Sequence, residues 1–582
     1  MAQNPLFNSW RILILAAGLL GLVLYLGGLS SQFKPTPDSC EYMGLAQALA
    51  HSKGYQFNGR DGSRYPPLMP LLLVGLIKVS ESTESVVSVV TPAKFTQIIL
   101  ALLFALGAWR LARRYLDQRR AMLAALLVWA NLTVFQHCMF ILSDVLYGCL
   151  SIWAMVLLSK RLNMRRWIGG IILIALAWMT RSVGILLAAA AIPYLLWAKP
   201  HVIEGMKRWV WALLMPVICA LPFVLWKYFW ADQQGDYYLE RWISATDKIN
   251  LPGIILASFL NMAPTVPLNS VQTLLNIETM TLPIYFAVPG FIVVLIGWGL
   301  LFQKHRALPE WYTMFYLGVM SIWFSNQGPR FYLPLLPLLL IYGLTGLTRL
   351  RELMAQQNLL GRILRIAVTL AFLVFITPLI QYFIQHKQPR AALILIRNGY
   401  VYSLLAALIV LLALLVRMRI LRRLPIDKTA GVLFFLTYLG TSWLYSAGFA
   451  YLEHGLSKSR GPMLVGYIPY WQMGQWLKQQ DRITEPILCA QSAIVHLSGE
   501  KITREPDNRI DQTWSRLEKG EYNCVLWLEH PENDQRPTDA YNEQIGRLIK
   551  KYPHCFQLQA NQSGSPQYKL YRYIPQKVDK YP

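Results

Sequence analysis

The chain has 582 residues, of which 55% are hydrophobic and 15% charged, with a mean hydropathy of +0.35. Soluble globular chains carry about 25% charged residues, so this composition excludes an ordinary cytosolic enzyme, and its apolar content excludes disorder. The 55 Lys and Arg against 31 Asp and Glu leave +24; residues 453–582 hold 17 basic and 15 acidic residues, net +2, so the remaining +22 lies among the apolar segments. That is the footprint of membrane topology and not of a nucleic-acid-binding face.

A bilayer-spanning helix needs roughly 20 mostly apolar residues. The pattern predicts a polytopic α-helical membrane protein of about thirteen spans, near 11–31, 93–111, 121–140, 144–159, 167–180, 182–198, 209–230, 282–302, 310–325, 331–347, 366–384, 400–416 and 429–451. The amino-terminal region holds a single basic residue, Arg11, and the first apolar stretch is longer than a signal-peptide core of about 7–15 residues, which favours an uncleaved helix. The shorter, proline-rich run 66–79 reads as an interfacial or re-entrant helix.

The loops alternate in charge. Those at 110–120, 160–166, 199–208, 303–308, 348–365 and 417–428 carry 5, 4, 3, 2, 4 and 5 Lys/Arg, while the two long loops, 32–66 and 231–281, fall in the other set. The positive-inside rule places the basic set in the cytoplasm. An odd number of spans then puts the amino terminus inside and the last 130 residues outside. The basic inner loops, such as 417–423, read as topology determinants attracted to anionic membrane lipid, with no nucleic-acid partner.

Residues 1–451 thus form the membrane domain, with the first outside loop 32–66 and the 66–79 helix, and 452–582 an extracytoplasmic α/β domain. In the latter, 469–480 and 539–551 read as helices, the second with Ile545, Leu548 and Ile549 on one face. Pro486–Gln491 and Tyr522–Glu529 read as strands, and Cys555–Gln559 with Tyr568–Ile574 as a hairpin. This unit has no phosphate-cradling Gly loop and no acid/base cluster; packing, acceptor docking and regulation are all open to it. Cys138, Cys149 and Cys219 fall in spans, whereas Cys489, Cys524 and Cys555 fall outside, where one disulfide among the three is open. Asn561-Gln562-Ser563 matches a glycosylation sequon. No Cys-x-x-Cys or His-x-x-x-His pattern points to a metal or other cofactor, and a divalent metal is left open.

The chemistry concentrates in residues 35–73. Asp38 is placed to cap a helix from Ser39 to about Ser52, with Tyr42, Leu45, Ala46 and Leu49 as an apolar stripe suited to the membrane surface. Gly54-Tyr55 ends the helix, and a polar turn leads to Tyr65-Pro66-Pro67-Leu68. Asp144 stands at a span end on the same side, Arg181 between two spans, and Arg330 within Pro329-Arg330-Phe331-Tyr332-Leu333-Pro334. Helix capping for the two Asp, and snorkelling to headgroups for the two Arg, are the competing readings.

The order of these features resembles the GT-C glycosyltransferases that use polyprenyl-phosphate sugars, a superfamily including protein O-mannosyltransferases and the aminoarabinose transferases of lipid A. The resemblance rests on an Asp just after the first span, Tyr42 four residues on, Gly54-Tyr55, and the Tyr-Pro-Pro-Leu-x-Pro-Leu-Leu run. It extends to Ile141-Leu142-Ser143-Asp144 and to the Arg-Phe-Tyr-Leu-Pro segment at 330–334. It covers residues 10–350 in detail. Ser39 stands where the O-mannosyltransferases have the Glu of an Asp-Glu pair, which weakens the case for a protein acceptor.

The resemblance implies a multi-pass protein of the cell inner membrane that transfers a sugar from a polyprenyl-phosphate donor to a lipid, glycan or protein acceptor, with inversion. Asp38 and Asp144 become the catalytic carboxylates, Asp38 as base; Arg330, Arg181, Arg64, Tyr65 and Tyr332 become donor-phosphate ligands. Two other classes compete: a transporter or lipid flippase, for which inverted repeats with midplane polar groups are the expected sign, and a non-catalytic membrane subunit, in which Asp38 could be changed freely.

Overall fold

Peptide groups in hydrocarbon find no water, so an apolar segment satisfies them internally as a helix. In the computed structural model, most of the chain described up to residue 356 is accordingly helical. The structure describes residues 17–31, 33–61, 65–80, 86–159, 164–197, 208–230, 251–275, 284–323 and 328–356. In the last quarter it describes 468–480, 483, 486–506, 510–529, 540–562 and 567–575. The expected spans 366–384, 400–416 and 429–451 lie outside the described residues.

The helices, in chain order, are α1 (Ala17–Gly27), α2 (Pro37–Ala50), α3 (Leu68–Val79), α4 (Val86–Ala112), α5 (Gln118–Trp129), α6 (Leu132–Met139), α7 (Asp144–Leu158) and α8 (Met164–Thr180). They continue with α9 (Ile185–Trp197), α10 (Arg208–Trp230), α11 (Leu251–Met262), α12 (Thr265–Leu275), α13 (Ile284–His305), α14 (Leu308–Ser321) and α15 (Leu336–Ala355). Among the described residues, Val89–Ala112, Trp209–Trp230, Ala287–His305 and Gly328–Ala355 are long and apolar enough to cross a membrane, and the bent pair α5–α6 brings the number to as many as five. Leu102, Ile172, Leu213, Leu221 and Ile292 turn outward, as helices facing lipid require. This is a multi-pass membrane protein.

Three differences from the sequence reading bear on the site. The single span expected at 121–140 is two helices bent by 40°. The cause is Asn131: its Oδ1 accepts from the Val134 N–H and caps α6, while its Nδ2 donates to the Thr273 carbonyl at 3.0 Å. The expected loop 231–281 contains α11 and α12. The apolar stripe of α2 lies against protein, not on a membrane surface. Cys40 joins the core of the carboxy-terminal unit; Tyr42, Met43 and Ala46 pack with α3 and α7; Leu45 packs with Tyr55 and Trp226. Too few polar positions remain for a one-sided amphipathic helix because α2 is covered on three faces.

Helices α13 and α15 touch backbone to backbone. A Cβ on Gly297 would collide with the Tyr342 carbonyl, and one on Gly346 with the Val293 carbonyl.

Residues 468–573 build a five-stranded mixed sheet with helices. The strand order is β4–β3–β5–β7–β6, from β3 (Ile487–Cys489), β4 (Thr503–Arg504), β5 (Cys524–Glu529), β6 (Phe556–Gln562) and β7 (Gln567–Tyr573). β3 runs parallel to β4 and β5, and β7 antiparallel to β5 and β6. Helices α16 (Ile468–Lys478), α17 (Ser492–Gly499), α18 (Ile510–Glu518) and α19 (Ala540–Lys551) accompany it. The disulfide left open by the sequence is not formed: all seven cysteines are free and buried.

Candidate active site

Two helix N-termini meet a pair of guanidiniums. In α2 the cap is Thr36 and not, as the sequence suggested, Asp38. The Thr36 Oγ1 accepts from the Ser39 N–H, and the Ser39 Oγ accepts from the Thr36 N–H, a reciprocal box. The Asp38 carboxylate, in the first turn, is thereby not used by the cap and reaches outward. Its Oδ2 accepts from Arg330 Nη2 at 2.5 Å and its Oδ1 from the Tyr65 hydroxyl at 2.6 Å.

Asp144 opens α7. Its Oδ1 accepts from Arg181 Nη1 at 2.6 Å, and its Oδ2 from Arg330 Nε at 3.2 Å. The preceding turn is forced: Ile141, a buried β-branched residue, has φ +57°, a conformation held only when its surroundings dictate it. The dictating contacts include Gln97 Nε2, which donates to the Leu142 carbonyl at 3.0 Å.

Arg330 therefore bridges both carboxylates, and two Asp balance two Arg in one array. Asp144 has 2% of its side chain exposed, against 22% for Asp38. Arg330 sits in a 3₁₀ segment, Gly328–Leu335, braced by Thr273, whose hydroxyl donates to the Pro329 carbonyl at 3.0 Å. Arg181 occupies the extended break between α8 and the Ser182–Gly184 turn, and its guanidinium also lies over the Phe331 ring at 5.4 Å.

The sequence motifs named Tyr42, Ser143 and Tyr55 without a site role, yet they complete the array. The Tyr42 hydroxyl and Ser143 Oγ are 2.8 Å apart, and the Tyr42 and Tyr65 rings meet edge to face. Burial first, then the Asp38 charge, hold the Tyr42 hydroxyl above its ordinary pKa, so it stays protonated. Tyr55 donates to the Tyr65 carbonyl. Asn131 and Thr273 gave no signal, the second because its helix was read as loop.

Of the seven residues selected from sequence, Asp38, Asp144, Arg181, Arg330 and Tyr65 come together. Tyr332 is buried with its hydroxyl on Asn269 of α12 and does not join the guanidiniums. Arg64 lies outside the described residues. No three His, Cys, Asp or Glu side chains converge as a metal site among the described residues, and both carboxylates here already face guanidinium.

Chemically, the array offers a partly exposed carboxylate beside spare donors. Arg330 commits Nε and Nη2 to carboxylates, leaving Nη1; Arg181 commits Nη1, leaving Nε and Nη2 without a protein acceptor among the described residues. Such forked donors suit a phosphate.

A helical membrane body with an acid–guanidinium array at helix N-termini and an appended α/β unit fits the resemblance drawn from the motifs, on which two comparisons bear. Residues 64–226 match the family described as dolichyl-phosphate-mannose-protein mannosyltransferase. The fold matches crystal structures of ArnT from Cupriavidus metallidurans, in the apo state and bound to undecaprenyl phosphate, each with a TM-score of 0.56 and 13% identity. The matches cover 98% and 97% of this chain, respectively, and 98% of that chain in both cases. An oligosaccharyltransferase from Archaeoglobus fulgidus is more distant, with a TM-score of 0.49 at 13% identity over 98% of this chain and 75% of its own. No curated protein matches the chain by sequence. The resemblance to GT-C glycosyltransferases drawn from the motifs thus stands in family match and fold.

Proposed function

We propose that the chain is a membrane glycosyltransferase that moves a sugar from a polyprenyl-phosphate donor to an acceptor hydroxyl at the outer face of the inner membrane. The observation that carries this reading is the Asp38–Arg330–Asp144–Arg181 array, with its spare guanidinium N–H donors. Asp38, the more exposed carboxylate, is the base: it takes the proton of the acceptor hydroxyl as that oxygen attacks the anomeric carbon. The bond from that carbon to the phosphate oxygen breaks with its electron pair, and polyprenyl phosphate departs. Attack opposite to the leaving group inverts the anomeric configuration in one step.

The charge growing on the departing phosphate is met by Arg330 Nη1 and by Arg181 Nε and Nη2, which have no protein acceptor among the described residues and are fixed before the reaction begins. Asp144 orients both guanidiniums. Tyr65, hydrogen-bonded to Asp38, fixes the carboxylate that must face the acceptor. The fold likeness to an ArnT bound to undecaprenyl phosphate supports a lipid-phosphate donor, and the charge asymmetry of the loops supports the outer location.

The test is Asp38→Asn in membranes supplied with radiolabelled polyprenyl-phosphate sugar. Transfer should be lost while the folded protein accumulates normally. Undiminished transfer would remove Asp38 as the base.

A further inference from the structure

The sheet of the carboxy-terminal unit ends at β4, and the far edge of that short strand is met by a side chain from the first loop of the membrane part. Asn58 Oδ1 accepts from the Thr503 N–H at 2.8 Å, and Asn58 Nδ2 donates to the Thr503 carbonyl at 2.7 Å. One carboxamide thus satisfies both peptide groups of an edge residue, as the backbone of another strand would. Arg504 Nη1 returns a bond to the Asn58 carbonyl at 2.6 Å. The sheet uses the same device internally, where Asn542 bonds both the N–H and the carbonyl of Leu528 in β5. Asn58 is therefore built into the sheet as one of its own residues would be.

The backbone at Asn58 is as specific as its side chain. Asn58 and Gly59, at φ +58° and +66°, form the turn between β1 (Gln56–Phe57) and β2 (Arg60–Asp61), the Asn-Gly sequence that such a turn demands. A Cβ on Gly59 would sit 2.9 Å from the Ile502 side chain. From the hairpin the contact continues inward: Phe57 lies edge to face with His496 and closes on Gly44 of α2, whose first turn carries Asp38. At the Asp38 end of the same helix, Cys40 is buried in the core of the carboxy-terminal unit, and Phe33 meets Trp471 at 5.6 Å.

We infer that Asn58 is a positioning residue, through which the carboxy-terminal sheet holds α2, and with it the Asp38 carboxylate, against Arg330. This rests on the reading of Asp38 as the base. The sheet is then a working part of the active site, although it contributes no group to the chemistry.

Asn58→Gly separates the two duties, since glycine keeps the left-handed turn and removes the carboxamide. The full-length protein in detergent is measured in two ways. Steady-state kinetics should give a kcat reduced about 10- to 100-fold, the cost of a small misplacement of a catalytic group, with the donor KM unchanged. Hydrogen–deuterium exchange should rise across residues 37–50 while the spans exchange as in the parent. Asn58→Asp, which keeps the turn but sets a carboxylate oxygen against the Thr503 carbonyl where Nδ2 donates, should restore neither. Unchanged exchange in 37–50 overturns the inference, whatever the chemistry proves to be. If the parent transfers no sugar from polyprenyl phosphate, only the functional reading fails, because the exchange measurement still decides the clamp.

Discussion

The N-termini of α2 and α7 use the same residue types to opposite ends. At α2, Thr36 and Ser39 satisfy the helix's first N–H groups, and Asp38 is released to face Tyr65 and Arg330 with 22% of its side chain exposed. At α7, Ser143 makes no capping bond; its hydroxyl meets Tyr42 and Arg181, and Asp144 is held at 2% exposure by two guanidiniums. One carboxylate is kept available and the other is locked. A carboxylate meant to take a proton must reach its substrate, whereas one meant to orient arginines is best buried between them.

Substitution should separate the two most sharply. Asp38→Asn is expected to lower kcat by about 10²- to 10⁴-fold and to leave the thermal midpoint close to the parent's. Asp144→Ala leaves two guanidiniums facing each other and should cost about 3–5 kcal/mol of stability; equal loss of stability in both variants would end the distinction. Next in size, Arg330→Ala removes the group the carboxylates share. It should raise the donor KM about 10- to 100-fold, from a charge-assisted bond worth about 1.5–3 kcal/mol; a matching rise in acceptor KM would point to a structural part only.

The cap itself is a smaller test. Thr36→Val should cost about 1 kcal/mol, read by thermal unfolding, because Asp38 is turned away and does not replace it. No loss would mean that Asp38 can cap after all. The smallest effect concerns Cys40, whose thiol is held well above its ordinary pKa by burial and then by the Asp38 charge. With its thiolate disfavoured at neutral pH, Cys40 should resist maleimide far longer than an exposed cysteine introduced at Lys53. Rapid labelling of Cys40 would show that α2 leaves its seat.

Much of the site was legible because charge is scarce in an apolar chain. Asp38, Asp144, Arg181 and Arg330 stood out as polar residues at the ends of apolar segments, a local property. The supporting residues are set by distance in space. Nothing near Asn131 or Thr273 says that one will bond the other 142 positions away, and an Asn-Gly turn announces a hairpin without naming Thr503 as its partner. The fold divides in the same way. Span-length helices such as α4 and α10 follow from apolar runs, while α11 and α12, of 12 and 11 residues, are too short to stand out as spans. The bend after α5 depends on a single asparagine. Short strands such as β5 and β7 were marked by alternation, but β4, two residues long, becomes a strand only beside β3.

The glycine contact between α13 and α15 limits how the helix that follows Arg330 can move. Side chains that separate two helices have alternative rotamers and let the pair slide; a peptide pressed on a peptide has none. Gly297 and Gly346 remove that slack, so α13 and α15 move as one beam. Arg330, just ahead of α15, rides on that beam, so the spacing of its guanidinium from the carboxylates on α2 and α7 is set by the helix pair and not by α15 alone.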